Sequence, residues 1–161
     1  MVDIHNAALS FYDGMVKCAL FIGWTEHEEN RLDTMGYTES DISNDALSYL
    51  RREAYTACSI AVNLGALNDT SDYKQAGIDF WFTRNGEGAG YHERPETYGT
   101  HAITILEGIA EGFGEAELYE IGNNRLELNA RLYEPKDTGA NKNTPVPDPQ
   151  ITINDLWEEL R

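Results

Sequence analysis

Apolar residues fall into blocks of different period along the chain. Between residues 7 and 23, Ala8, Leu9, Tyr12, Met15, Val16, Ala19, Leu20 and Ile22 recur at spacings dominated by three and four, the pattern of a helix with one broad apolar face. Gly23 and a polar run to Asn30 end it. The segment Asp41-Ile-Ser-Asn-Asp45 then offers several N-capping side chains, and its acids suit the positive end of a helix dipole. Beyond it Leu47, Leu50, Ala54, Cys58, Ala61 and Leu64 repeat the helical period, with Gly65 as the predicted stop. These two helices either pair with each other or share a sheet as their partner.

The period changes at Ile78. Ile78, Phe80 and Phe82 alternate with Asp79, Trp81 and Thr83, which predicts a strand with one buried face. Asn85-Gly86 follows as a hairpin turn, with residues 89–94 as the returning strand. Thr100 is the expected cap of a helix through Ile103, Leu106, Ile109, Ala110 and Phe113, ended by Gly112 and Gly114. Residues 116–121 and 125–133 form a second predicted hairpin around Gly122-Asn-Asn124. Two helices, a hairpin, a helix and a hairpin predict an α+β domain over residues 1–133, its small antiparallel sheet covered by helices on one face. Residues 134–150, with four of the five prolines, read as a linker. Residues 151–161 read as a short helix presenting Leu156, Trp157 and Leu160, which docks either on its own domain or in a partner's groove.

Charge changes this picture more than composition does. With 41% hydrophobic residues the chain has material for a packed core, yet 28 Asp and Glu against 12 Lys and Arg give a formal net charge of -16. That balance argues against direct binding to nucleic acid or anionic lipid, which requires basic stripes. The charge divides as -7 over residues 1–70, -6 over 71–133 and -3 beyond, so it belongs mainly to the predicted body. The longest apolar stretch, residues 18–24, is far short of the roughly 20 residues that span a bilayer. Cys18 and Cys58 sit among apolar residues and read as buried thiols, and the N-terminus lacks a basic signal-peptide region, so a reducing, cytosolic setting is expected.

Candidate chemistry is sparse. The glycines of Asn85-Gly-Glu-Gly-Ala-Gly90 are followed by no Gly-Lys-Ser/Thr, and Glu87 would repel a phosphate, so turn geometry explains them better than a phosphate loop. Tyr91-His92-Glu93-Arg94, with His101, Asp79 and Glu87 nearby in sequence, has the vocabulary of a metal or acid/base site. No ligand spacing such as His-Glu-x-x-His supports it, and on a strand His92 and Glu93 would face opposite ways. No catalytic residue and no cofactor is therefore assigned; His92 and His101 are the metal candidates. The remaining feature is the carboxylate run. Glu107 and Glu111 lie one helical turn apart, about 6 Å along the axis, and Glu115, Glu117 and Glu120 follow. This spacing is near that of phosphates along a nucleic-acid strand, so such a face can engage a basic, nucleic-acid-binding surface; the alternative is that the charge serves solubility alone.

The stretch Gln75-Ala-Gly-Ile-Asp-Phe-Trp-Phe-Thr-Arg-Asn-Gly-Glu-Gly-Ala-Gly-Tyr91 resembles a segment of a family of small acidic hypothetical proteins of tailed bacteriophages. The resemblance extends to Ala19-Leu20, to Met35-Gly-Tyr-Thr-Glu-Ser-Asp-Ile-Ser43 and to Phe113-Gly-Glu-Ala-Glu-Leu-Tyr119, covering residues 10–128. The chain departs from the family pattern at Glu87, where many relatives have Gly-His-Gly, and at Tyr91-His-Glu-Arg94, where they have Phe-Trp-Asp-Arg. No histidine chemistry carries over at either spot. The resemblance implies a phage origin and a host bacterial cytoplasm, and no established activity. Together these features predict a non-enzymatic protein that binds and inhibits or modulates a host nucleic-acid-binding protein. Its contacts would come from Glu107, Glu111, Glu115 and Glu117, with Glu26, Glu28 and Glu29 second and Leu156, Trp157 and Leu160 as an apolar anchor. A small enzyme using His92, Glu93 and His101, or a virion structural or assembly protein, are the alternatives.

Overall fold

A computed structural model describes residues 1–25 and 30–135. The Pro-rich segment beyond residue 135, the terminal helix expected at 151–161, and the acids Glu26, Glu28 and Glu29 lie outside the described residues. Among the described residues the fold has five α-helices and one two-stranded antiparallel sheet: α1 (Ile4–Ile22), α2 (Asn44–Asn63), α3 (Tyr73–Arg84), α4 (Pro95–Tyr98), α5 (Thr100–Phe113), β1 (Ala116–Gly122) and β2 (Arg125–Ala130). The mixed α and β content matches the expectation, but the sheet is half the size expected.

Local chemistry sets the helix ends. Asp3, Ser43 and Asp72 each accept a hydrogen bond from a first-turn backbone N–H, at 3.2, 3.2 and 3.0 Å, and so start α1, α2 and α3. Gly65, at φ +76°, stops α2 as expected. Gly99, not Thr100, is the N-cap of α5, and Gly112 lies within that helix; Gly114, at φ +80°, ends it.

The main correction concerns residues 78–94. The expected first hairpin does not exist: Ile78 to Thr83 belong to α3, and Tyr91–Glu93 form a single 3-10 turn. Asn85-Gly86 ends a helix. Gly86 takes φ +69°, its N–H bonds Thr83 O at 3.1 Å, and the Glu87 N–H bonds Phe82 O at 2.9 Å. This pair of bonds is the Schellman cap, which needs the same left-handed residue that a tight hairpin does. The face α3 buries is Ala76, Gly77, Phe80, Trp81 and Arg84, at helical spacing, together with Asp79. Two of these are charged. The buried face therefore did not register as apolar, and the chance alternation of Ile78, Phe80 and Phe82 stood out instead.

Helix α3 is central to the core. Phe80 packs on Phe11 of α1 and Phe113 of α5, with ring centroids 5.2 and 5.5 Å apart. Where α1 and α3 cross, two glycines face opposite backbones: a Cβ on Gly14 would lie 2.0 Å from Lys74 O, and one on Gly77 2.0 Å from Phe11 O. Any side chain at either position would force the helices apart. The sheet lays Ala116, Leu118, Leu126 and Leu128 into the same core. Its turn carries Asn123 and Asn124 at φ +52° and +55°, so the Gly122-Asn-Asn124 hairpin is the one the sequence indicated correctly.

The core also contains charge. Arg84 and Glu53 are fully buried and paired through both guanidinium nitrogens, with Nη1 donating to Oε1 and Nη2 to Oε2 at 3.1 Å. Arg84 Nε donates to Gly114 O at 2.8 Å, and its Cζ lies 4.9 Å from the centroid of the Trp81 ring. Buried Asp79 accepts from Gln75 Nε2 at 3.0 Å, Arg94 Nε at 3.1 Å and the Tyr98 hydroxyl at 2.6 Å. Burial and that last bond to a carboxylate push the Tyr98 phenol well above its ordinary value. Both cysteines are buried as expected, and burial pushes the Cys18 thiol up to about 12.

Candidate functional site: an acidic strand edge

The ends of α3 and α5 are tied together, and this delivers β1 to the surface. Arg84 grips Gly114 O as described, Arg131 Nη2 donates to Gly112 O, and the Ala116 N–H donates to Asn85 Oδ1 at 2.9 Å. Two arginines thus occupy the negative end of the α5 dipole, where Glu111 in the last turn is otherwise unfavourable. From Ala116 onward the strand alternates. Ala116 and Leu118 are buried, while Glu115, Glu117 and Tyr119 face outward.

A groove of about 740 Å³ lies beside this strand. One wall is residues 115–119 of β1 and its approach; the others come from the end of α1 through Trp24 and Thr25, and from Trp81, Asn85 and Glu87 at the end of α3. All of its charged lining residues, Glu87, Glu115 and Glu117, are carboxylates. An adjoining recess shares Glu115 and Glu117 and adds Arg131.

The expected acidic face is therefore divided. Glu115 and Glu117 converge with Glu87, which the sequence suggested as an obstacle to phosphate and as a neighbour of the histidine cluster. Glu111 is exposed and Glu107 partly buried on α5, and neither lines the groove. Glu107 instead lies 4.0 Å from His92 Nδ1. Glu120 is held by the Tyr37 hydroxyl at 2.6 Å, and that bond, made by the protonated phenol, pushes Tyr37 up to about 12. Glu26, Glu28, Glu29, Leu156, Trp157 and Leu160 fall outside the described residues.

The histidine cluster is rearranged as well. Because residues 91–93 form a 3-10 turn and not a strand, His92 and Glu93 do not face opposite ways; Nε2 and Oε1 are 3.3 Å apart, both groups exposed. His101 is exposed on the first turn of α5, and among the described residues no hydrogen bond or ion pair joins it to this pair. Asp79 is committed to Gln75, Arg94 and Tyr98. Among the described residues, no three His, Cys, Asp or Glu side chains gather in a way that could hold a metal ion.

Sequence reasoning missed Trp24, Trp81 and Asn85. Trp24 is 54% exposed beside the groove, and Trp81 is fully buried with an Nε1–H that meets no acceptor among the described residues. The only sequence signal for them was the density of aromatic residues near the Gly-rich turn. Among the described residues no helix is long and apolar enough to cross a membrane. Compared with protein-family models, with curated proteins and with solved structures, the chain matches none.

Proposed function

We propose that this chain is a phage-encoded, non-enzymatic protein that acts by binding, one to one, a host protein with a basic, nucleic-acid-binding surface. The observation that carries this reading is the groove at β1, whose charged lining residues are all carboxylates. The buried Arg84–Glu53 pair and the pair that buried Asp79 makes with partly exposed Arg94 are each internally neutral. They leave the excess of acids outside, where long-range attraction speeds encounter with a cationic surface. Glu107, Glu111, Glu115 and Glu117 remain the residues expected to matter, and Glu87 joins them.

The test is affinity capture from the host with the wild-type chain and with a variant carrying Glu107→Lys, Glu111→Lys, Glu115→Lys and Glu117→Lys. A captured nucleic-acid-binding protein that competing DNA or RNA displaces, and that the variant does not retain, supports the reading. Equal capture by both chains refutes it. Recovery only of virion proteins assigns the chain to particle assembly instead.

A further inference from the structure

The dipeptide Asn-Gly occurs once in the chain, at Asn85-Gly86. It is the pairing in which asparagine deamidates most readily, because glycine has no side chain to shield its backbone nitrogen. In that reaction Gly86 N bonds to Asn85 Cγ, the Cγ–Nδ2 bond breaks, and ammonia leaves with the proton from Gly86 N. Water then opens the cyclic imide. Addition at Cγ gives aspartate, and addition at the backbone carbonyl gives isoaspartate, whose main chain runs through Cγ. The reaction needs water and no other reagent, and Asn85 lines both the groove and the adjoining recess.

The part Asn85 plays in the fold decides what this change does. Nδ2 donates to Trp81 O at 2.9 Å, near the end of α3, and Oδ1 accepts at 2.9 Å from the N–H of Ala116, the first residue of β1. One side chain thus closes a helix end and tethers the strand that follows α5. An amide does both because it is donor and acceptor, whereas a carboxylate only accepts. An aspartate in this place keeps Ala116 but has no hydrogen for Trp81 O, and its second oxygen is set against that carbonyl. Its charge also stands at the negative end of the α3 dipole, in a groove whose charged lining is Glu87, Glu115 and Glu117. Isoaspartate in addition lengthens the backbone within the helix cap.

The native cap keeps the reaction closed. With ψ of 6° at Asn85, Gly86 N nearly eclipses the Asn85 N across the Cα–C bond. It is therefore turned away from the side chain, which ring closure must bring alongside it. The Gly86 N–H donates to Thr83 O at 3.1 Å, and both polar atoms of the Asn85 amide are held as well. Ring closure requires the last turn of α3 to open, a local event that needs less free energy than global unfolding.

We infer that Asn85 is a deamidation site gated by fraying of α3, and that its conversion loosens β1 from α3 beside the acidic groove. The inference stands on this clasp and is independent of what the groove binds.

The gate is tested by ageing the full-length chain in mildly alkaline buffer without urea, with sub-denaturing urea and with denaturing urea. Peptic digestion in acid and mass spectrometry then locate the conversion. Asn85 is expected to convert at least about tenfold more slowly in the native than in the unfolded chain, as a modest local opening energy dictates. Sub-denaturing urea should give a rate between the two. Equal rates in the native and unfolded chains overturn the gate, and an unfolded chain that keeps its Asn85 amide removes the site. The consequence is read on Asn85→Asp. Hydrogen exchange at the Ala116 amide should be at least about tenfold faster than in the wild type at neutral pH, the worth of one or two hydrogen bonds. That difference should shrink in acid, where a protonated carboxyl regains a donor for Trp81 O. Unchanged exchange at neutral pH overturns the loosening of β1, and a difference that persists in acid overturns the role of the missing donor. If the variant does not fold, the aged wild-type fraction carrying the extra charge, separated on an anion exchanger, gives the same reading.

Discussion

Glu53 and Asp79 inside the molecule carry the same chemical group as Glu115 and Glu117 at its surface, and the fold treats the two sets in opposite ways. Each interior carboxylate has an arginine, and Asp79 has Gln75 and Tyr98 as further donors. The exterior pair lines a groove with a third acid, and Arg131 of the adjoining recess donates to Gly112 O at the end of α5. A carboxylate buried without its cation is costly, whereas one in water costs almost nothing. The interior acids are therefore fixtures of stability, and the exterior ones are open to selection for binding. The difference teaches that a net charge of -16 does not describe one population of acids.

The sharpest way to break this distinction is Arg84→Met, which leaves Glu53 buried and unpaired. It is expected to cost about 3–5 kcal/mol, seen as a lower urea midpoint; a loss within the range of ordinary surface substitutions would mean that the pair is dispensable. Asp79→Asn should cost less, about 1–3 kcal/mol, because Arg94 is partly exposed and water can replace its partner. The same unfolding measurement ranks the two. Glu115→Lys and Glu117→Lys should each move stability by no more than about 0.5 kcal/mol, while changing the elution of the native protein from an anion exchanger. A large stability change at either would place it with the interior acids.

A separate effect is in pH. The Cys18 thiol rises from 9.0 to about 12, and the Tyr37 phenol from 10.0 to about 12. A group whose folded value is raised stabilises fully below its unfolded value and loses that contribution as pH climbs through the folded one. Stability should therefore fall between about pH 9 and 12, and thermal melts across that window would show it. Tyr37→Phe should flatten only the upper part.

The same contrast explains what could be seen in advance. Helices α1, α2 and α5 and the second hairpin were legible because their buried faces are apolar and their ends carry Ser43, Gly65, Gly114 and the paired asparagines. Helix α3 was not. Asp79 and Arg84 are buried through partners on other elements, and no local period reveals a charge neutralised from a distance. Asn85-Gly86 compounded the error, since a left-handed glycine serves a helix stop and a hairpin equally. The acid run 107–120 was legible as composition, but its division was not. Whether Glu117 joins Glu87 or Glu107 depends on where α3 ends, which was the element misread.

The glycine crossing of α1 and α3 bears on how fast the chain can fold. The close backbone approach of these helices sets Gly14 against Lys74 and Phe11 against Gly77, with all of α2 lying between them in sequence. Closing so long a loop must precede the reward of that contact, and long-range closure slows the search for the native state. A backbone contact tolerates no sliding or repacking, so the crossing forms in register or not at all. The folding barrier of this largely helical protein should thus resemble that of a fold built on distant strand pairing more than that of a simple helical bundle.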